Sequence, residues 1–255
     1  MLTVDALLTP DVRDALRHAR ARAYADKADA FARERLPQRL GALAPADRRA
    51  VVEEAYRRGR GLGLEADGDQ LMHLVAVAHL GIGFATDPQF AGMRAAVGWR
   101  KGTVPDLTGF AGEIDRYRDA VAGDVADLRR PIRAFELHFA RDAADESDAA
   151  CLDLMGRAFP ARTARLSAGA RQAVVAAGRD GARTLGLGGA DMVAHVALTL
   201  CFGHAFGHDP LHPWAGAAYA HGTPEARRLA LGAGVRDHVA RFVPAPGEAD
   251  PSERF

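Results

Sequence analysis

The sequence predicts an all-α protein made of two tandem, pseudo-symmetric helical bundle units. Two observations predict it. Helix start and stop signals follow one another in the same order in two parts of the chain, and these two parts share residues at matching positions. The predicted organisation is a first unit at 1–97, a linker with one helix at 98–130, a second unit at 131–243 and a flexible C-terminal tail at 244–255.

The internal repeat relates a segment that starts at Pro37 to one that starts at Pro160, a displacement of 123 residues that becomes 122 after one gap. The identities in the first segment are Pro37, Arg39, Leu43, Arg48, Ala50, Val51, Val52, Arg60, Leu62, Gly63, Leu64, Asp69, His73, Gly81, Phe84, Asp87, Pro88, Ala95 and Ala96. Many of these residues are not the common alanine, so a tandem duplication explains them better than coincidence. We therefore expect matching positions to occupy matching places in the two units.

Each unit is predicted to begin with a long helix. The first spans about 10–35, with Thr9 as its cap, and its counterpart spans about 131–157. The second helix of each unit ends at a Leu-Gly-Leu element, 62–64 or 185–187, where glycine can take the left-handed conformation that closes a helix. The other helices are predicted to begin near Ala44, Asp69, Asp87, Thr108, Ser167, Asp191, Asp209 and Thr223, and the last to end near Val243.

A Gly-x-x-Phe-x-x-Asp-Pro motif occurs once in each unit. Its residues are Gly81, Phe84, Asp87 and Pro88 in the first unit, and Gly203, Phe206, Asp209 and Pro210 in the second. Asp is a good helix N-cap and Pro suits the first helical position, so each Asp-Pro pair predicts a helix start. We expect the phenylalanines to pack beneath the turn and the glycines to allow a close helix crossing.

Composition and charge argue against two classes of function. The chain is 48% hydrophobic and 26% charged with a formal net charge of zero, so it lacks the excess positive charge that binding to nucleic acid requires. The most apolar stretches, 71–85 and 192–206, are shorter than the roughly 20 residues that span a bilayer. The N-terminal residues carry three aspartates and do not resemble a signal peptide. We therefore expect a cytoplasmic protein with neither nucleic acid nor membrane as its partner.

Histidines supply the main chemical candidates. His73 and His195 match in the repeat, and we favour hydrogen-bonded core residues over a paired ligand or proton-relay site. The candidate metal ligands are His204, His208, Asp209 and His212. His204 and His208 are four positions apart on one helical face, as in metal-binding helices. Against a metal site, the matching positions of the first unit hold no histidine, and Asp209 is already expected to cap a helix.

Other signatures of catalysis are absent from the sequence. There is no Gly-x-Ser-x-Gly elbow, no phosphate-binding Gly-x-x-x-x-Gly-Lys loop and no dinucleotide-binding glycine motif after a strand. Cys151 and Cys201 lack the spacing of zinc ligands and are expected to be reduced thiols. We therefore expect no cofactor, and we favour a function other than catalysis.

The pattern of a long first helix, a Leu-Gly-Leu turn and a Gly-x-x-Phe-x-x-Asp-Pro motif resembles a group of small helical proteins encoded beside type VI secretion spike components. The resembling residues are Leu36-Pro37, 62–64 and 81–88 in the first unit, and Phe159-Pro160, 185–187 and 203–215 in the second. The resemblance implies at most an accessory or adaptor role, and it supplies no catalytic residues that could be carried over to this chain.

Two functional hypotheses follow from the sequence. The first is a non-enzymatic interaction protein that holds a protein partner, a secretion component or effector, in a groove between its two helical units. The alternative is a metal-dependent hydrolase or small-ligand binder that uses the cluster of His204, His208 and His212. A regulatory module that binds nucleic acid is disfavoured by the charge.

Overall fold

The computed structural model describes residues 9–99, 107–126, 129–140 and 145–240. In these stretches every regular element is helical, so the all-α prediction is confirmed. None of their helices combines the length and the apolar character needed to cross a membrane. The predicted tail at 244–255 and the predicted helix end near Val243 lie outside the described residues.

The first half begins with α1, Pro10–Arg35, which the Thr9 hydroxyl caps by accepting a hydrogen bond from the Val12 N–H at 3.4 Å. A π-helical turn at Pro37–Gly41 follows because proline cannot continue the α-helix. The next helices are α2 at Pro45–Gly61, α3 at Asp67–Leu80, a 3-10 turn at Pro88–Phe90, α4 at Ala91–Ala96 and α5 at Leu107–Ala126. Gly63 has a φ of 86°, as its predicted helix-ending role requires.

The second half corrects the prediction of one helix over 131–157. The chain instead forms α6 at Arg129–Ala140 and α7 at Asp148–Ala158. Between them the Asp145 carboxylate accepts from the Ser147 N–H at 2.9 Å, and the Ser147 hydroxyl accepts from the Ala150 N–H at 3.1 Å. The Ser147 side chain therefore caps the start of α7.

The remaining helices are α8 at Pro160–Ala164, α9 at Ala168–Thr184, α10 at Gly189–Phe202, a 3-10 turn at Phe206–His208, α11 at Pro213–Tyr219 and α12 at Pro224–Ala240. The prediction that Asp209-Pro210 starts a helix was wrong. The helix starts three residues later, at Pro213, although the Asp209 carboxylate accepts from the Leu211 N–H at 2.9 Å just as Asp87 accepts from the Gln89 N–H at the start of the 3-10 turn.

Buried apolar side chains form two clusters. One contains residues between Tyr24 and Val121 together with Leu211, and the other contains residues between Ala134 and Leu231. Helix α5 adds Phe110, Ile114 and Tyr117 to the first cluster, so this part of the predicted linker helps to build a core.

Candidate functional site

The ends of α3 and α10 meet, and each helix is tied to the loop that follows the other. The Asp209 carboxylate accepts a hydrogen bond from the Ile82 N–H at 2.8 Å, and the Asp87 carboxylate accepts one from the His204 N–H, also at 2.8 Å. Asp87 also accepts from the Gln89 N–H at 3.0 Å, as Asp209 does from Leu211. Both aspartates are buried, so these backbone donors replace the water that each carboxylate has lost.

The two glycines of the repeated motif make this close meeting possible. Gly81 has φ and ψ of 92° and 158°, and Gly203 has 91° and 157°, a conformation that only glycine adopts readily. A Cβ atom on Gly81 would lie 2.8 Å from the Phe202 carbonyl oxygen, and one on Gly203 would lie 3.4 Å from the Leu80 carbonyl oxygen. The junction therefore requires glycine on both sides.

The two aspartates of the junction have different surroundings. Burial raises the pKa of Asp209 to about 6, partly offset by the hydrogen bonds from Ile82 and Leu211. The Asp87 carboxylate lies 3.3 Å from the His204 Nδ1 atom. The other ring nitrogen of His204 lies 3.4 Å from the Thr86 hydroxyl.

Arginines bind the last carbonyl groups of α3 and α10. Arg39 donates to the Ala78 carbonyl oxygen and Arg162 to the Cys201 carbonyl oxygen, both at 3.2 Å. Cations at these positions favourably meet the negative end of the helix dipole. Burial, together with the nearby charges of Arg118 and Arg162, lowers the pKa of Arg39 to about 10. Positive charge is therefore concentrated beside the junction.

A cavity of about 240 Å³ opens next to these arginines, and we call it the junction groove. Its lining residues are Gln89, Phe90, Gly92, Met93, Glu113, Tyr117, Arg162, Arg165 and Leu166. The two halves of the chain both contribute to it, since the first six belong to the first half and the last three to the second. The groove thus exists only where the halves meet.

Tyr117 is the central polar group of the junction groove. Its hydroxyl accepts a hydrogen bond from Arg162 at 2.7 Å, and the guanidinium groups of Arg162 and Arg165 lie 5.6 Å and 5.7 Å from the centre of its ring. The pKa of Tyr117 is raised, mainly by burial. The hydroxyl therefore keeps its proton at neutral pH and can donate a hydrogen bond to a ligand. Phe90 packs edge-on against the same ring at 5.3 Å.

The charged and apolar side chains that line the junction groove are suited to binding an acidic and partly apolar segment. Arg165 forms no ion pair with the residues that the structure describes, whereas the one carboxylate in the lining, Glu113, is paired with Arg116. Phe90, Met93 and Leu166 supply apolar surface. The groove therefore combines cationic donors with apolar contacts, which is the surface that an acidic and partly apolar segment would match.

The sequence did not single out the lining of this groove. Arg162 was visible as an identity with Arg39 in the repeat, but Tyr117 and Arg165 have no partner in the repeat that would draw attention to them. They become neighbours only because α5 packs against α8.

His73 and His195 are both buried at 1% exposure. The His195 Nδ1 atom lies 2.8 Å from the Tyr219 hydroxyl, and the His73 ring packs 5.3 Å from the Phe84 ring. Burial lowers the pKa of His73 to about 4 and that of His195 to about 3, so both are neutral near pH 7. They lie in separate cores.

The four candidate metal ligands point to different surroundings. The Asp209 carboxylate is occupied by backbone donors, His204 faces Asp87, His208 is exposed, and the His212 ring packs 4.9 Å from the Phe202 ring. Among the described residues no three His, Cys, Asp or Glu side chains are grouped so that they could hold a metal ion. Metal binding by His204, His208, Asp209 and His212 stays a prediction that this geometry does not support.

Comparison with known proteins gave no relative to guide the assignment. No family model, no curated protein and no solved structure matches this chain.

Proposed function

We propose that this protein is a non-enzymatic interaction protein that holds a segment of a protein partner in the junction groove. The observation that carries the proposal is the groove itself, where the guanidinium groups of Arg162 and Arg165 flank Tyr117 beside apolar side chains from both halves. An acidic residue of the partner would pair with Arg165 and accept from the Tyr117 hydroxyl, while its apolar neighbours contact Phe90 and Met93.

The architecture in this proposal is a tandem duplication, in which two pseudo-symmetric units create the groove where they join. It is supported by the repeat identities, by the near-equal backbone angles of Gly81 and Gly203, and by the reciprocal hydrogen bonds of Asp87 and Asp209. The differing first helices of the two halves, α1 and the α6–α7 pair, are a departure from symmetry.

The partner in this proposal is a type VI secretion component or effector, for which the protein acts as an accessory or adaptor factor. The support is the resemblance of residues 81–88 and 203–215 to helical proteins encoded beside spike components. The cytoplasm is the compartment in which such loading would take place.

The experiment is co-purification of the protein with the products of its neighbouring genes, followed by binding measurements on any captured product. Arg165→Glu reverses the charge at the groove, so it should weaken binding at least about tenfold, the equivalent of about 1.4 kcal/mol. Arg183→Glu is the matched control, because Arg183 is exposed and pairs with Asp180 outside the groove. Solitary purification, or equal effects of the two variants, would contradict the proposal.

A further inference from the structure

The last helix that the structure describes reaches the neighbourhood of the junction groove. Helix α12 is described as far as Ala240, and the ring of His238, two residues earlier, packs 5.1 Å from the Phe202 ring at the end of α10. Directly before Phe202 is Cys201, whose carbonyl oxygen accepts a hydrogen bond from Arg162, a lining residue of the groove. The chain therefore leaves the described part of the molecule near the Arg162 side of the groove.

The chain beyond Ala240 is long enough to enter the groove. An extended chain spans about 3.3–3.6 Å per residue, so Glu248, eight residues further on, can lie up to roughly 26–29 Å away. The groove is compact by comparison, because the guanidinium groups of Arg162 and Arg165 lie 5.6 Å and 5.7 Å from the Tyr117 ring centre. Both guanidinium groups are therefore within reach of the same chain without any change in α12.

The charge of the segment 244–255 is opposite to that of the groove. The segment carries three acidic residues, Glu248, Asp250 and Glu253, and a single arginine. In the groove, Arg165 forms no ion pair with the residues that the structure describes. Carboxylates and guanidinium groups form charge-assisted hydrogen bonds, often two at a time. A carboxylate of this segment is therefore a suitable partner for Arg165.

The apolar part of the segment also matches the groove. Pro244, Pro246 and Pro251 restrict the backbone of the segment, so less conformational entropy is lost when it binds. Extended, proline-rich segments bind in grooves that aromatic side chains line. The junction groove offers Phe90 and Tyr117, whose rings pack edge-on at 5.3 Å. Charge and apolar surface thus favour the same occupant.

We propose that the segment 244–255 of the same chain occupies the junction groove until a partner displaces it. Its carboxylates pair with the guanidinium groups of Arg162 and Arg165. The inference rests on the proposed function, because the partner that displaces the segment is the one proposed above. A tethered segment has an effective concentration on the order of 1 mM, so a contact with a Kd of about 0.1 mM fills the groove about nine-tenths of the time. The apparent affinity for the partner is then about tenfold lower.

The first test detects this contact in the full chain with no partner present. A nitroxide label is attached to Ser252→Cys in a chain that also carries Cys201→Ser, and Cys151 stays unlabelled because it is fully buried. The label should broaden the backbone amide signals of Met93 and Tyr117, which line the groove.

Variants show whether the broadening depends on charge. Arg165→Glu should remove most of it, and so should Glu248→Gln combined with Asp250→Asn. Arg183→Glu is the matched control, because Arg183 is exposed and pairs with Asp180 outside the groove, and it should leave the broadening unchanged. Equal broadening in all of these chains, or none in the chain that carries only the label and Cys201→Ser, would overturn the proposal.

The second test measures the competition between the segment and the partner. The captured partner is titrated onto the parent chain and onto the chain with Glu248→Gln and Asp250→Asn, which should bind about tenfold more tightly. Equal affinities would overturn the proposal. Absent broadening together with partner binding that depends on Arg165 contradicts this inference alone. A docked segment in a chain that binds no partner contradicts the proposed function.

Discussion

Asp87 and Asp209 each form a hydrogen bond with the backbone of the opposite half of the chain. The Asp209 carboxylate accepts from the Ile82 N–H and the Asp87 carboxylate accepts from the His204 N–H, each at 2.8 Å. The two bonds cross the junction in opposite directions, so the loss of either aspartate leaves a backbone donor of the other half without its partner. The junction is therefore expected to unfold as one unit, and its stability should depend on both carboxylates.

Asp209→Ala should lower the free energy of unfolding by roughly 2–5 kcal/mol, because the buried N–H groups of Ile82 and Leu211 would lose their acceptor. Urea denaturation followed by circular dichroism measures this change. Asp180→Ala is the control, since Asp180 is an exposed residue paired only with Arg183 and should change stability by less than about 0.5 kcal/mol. Equal effects of the two substitutions would show that the crossing bonds do not stabilise the junction.

Alanine at Gly81 should cost more than alanine at Gly203. Both positions have φ near 90°, but the new Cβ would lie 2.8 Å from a carbonyl oxygen at Gly81 and 3.4 Å from one at Gly203. We expect losses of about 2–4 kcal/mol for Gly81→Ala and about 1–3 kcal/mol for Gly203→Ala. Gly68→Ala, at a helical position with open space, should be neutral or stabilising by up to about 1 kcal/mol. Thermal unfolding of the three variants gives this order, and a neutral Gly81→Ala would contradict it.

His195 should make the fold sensitive to acid. Its pKa is about 3 in the folded protein against 6.5 in the unfolded chain, so the unfolded state binds a proton first as the pH falls. The stability that His195 contributes is complete above pH 6.5 and is lost progressively towards pH 3. Replacement by His195→Gln, which keeps a hydrogen-bonding group near Tyr219, should reduce the stability lost between pH 7.5 and pH 5 by about 1–2 kcal/mol.

Asp209 has the opposite effect over part of this range, so the test must compare the protein with its variant. The pKa of Asp209 is raised to about 6, which means that the folded state gains stability as the pH falls below 6 towards 3.8. Urea denaturation at several pH values measures the difference between the parent and His195→Gln. Parallel curves for the two proteins would show that His195 is not the titrating group.

The two cysteine thiols should differ in reactivity. Cys151 is fully buried and burial raises its pKa, whereas Cys201 is only partly buried. A thiol reagent should therefore modify Cys201 in the native protein and Cys151 only after unfolding, since the thiolate is the reactive form. Mass spectrometry of the labelled peptides measures this order. Modification of both thiols at the same rate in the native protein would contradict the described packing.

Local signals in the sequence determined most helix boundaries. Thr9 with Pro10, Ser167 and the Leu-Gly-Leu elements act within one or two turns of chain, and the helices begin and end where these residues place them. The same local signals missed the Ser147 cap, which starts α7 inside an expected helix. They also gave the same expectation for Asp87 and Asp209, although a helical turn begins directly after Asp87 and the helix after Asp209 begins only at Pro213. The prediction of paired units could name matching residues but not the contact between them.

The sequence by itself determined that the chain is helical, where most of its helices begin and end, and which residues recur in its two halves, because capping, proline and glycine act over a few residues. Only the tertiary structure decided that Asp87 and Asp209 exchange backbone partners and that Tyr117, Arg162 and Arg165 line one groove. Those relationships join residues that are far apart in the chain, and no local preference encodes them. They arise from the packing of α5 on α8 and from the close approach that Gly81 and Gly203 permit.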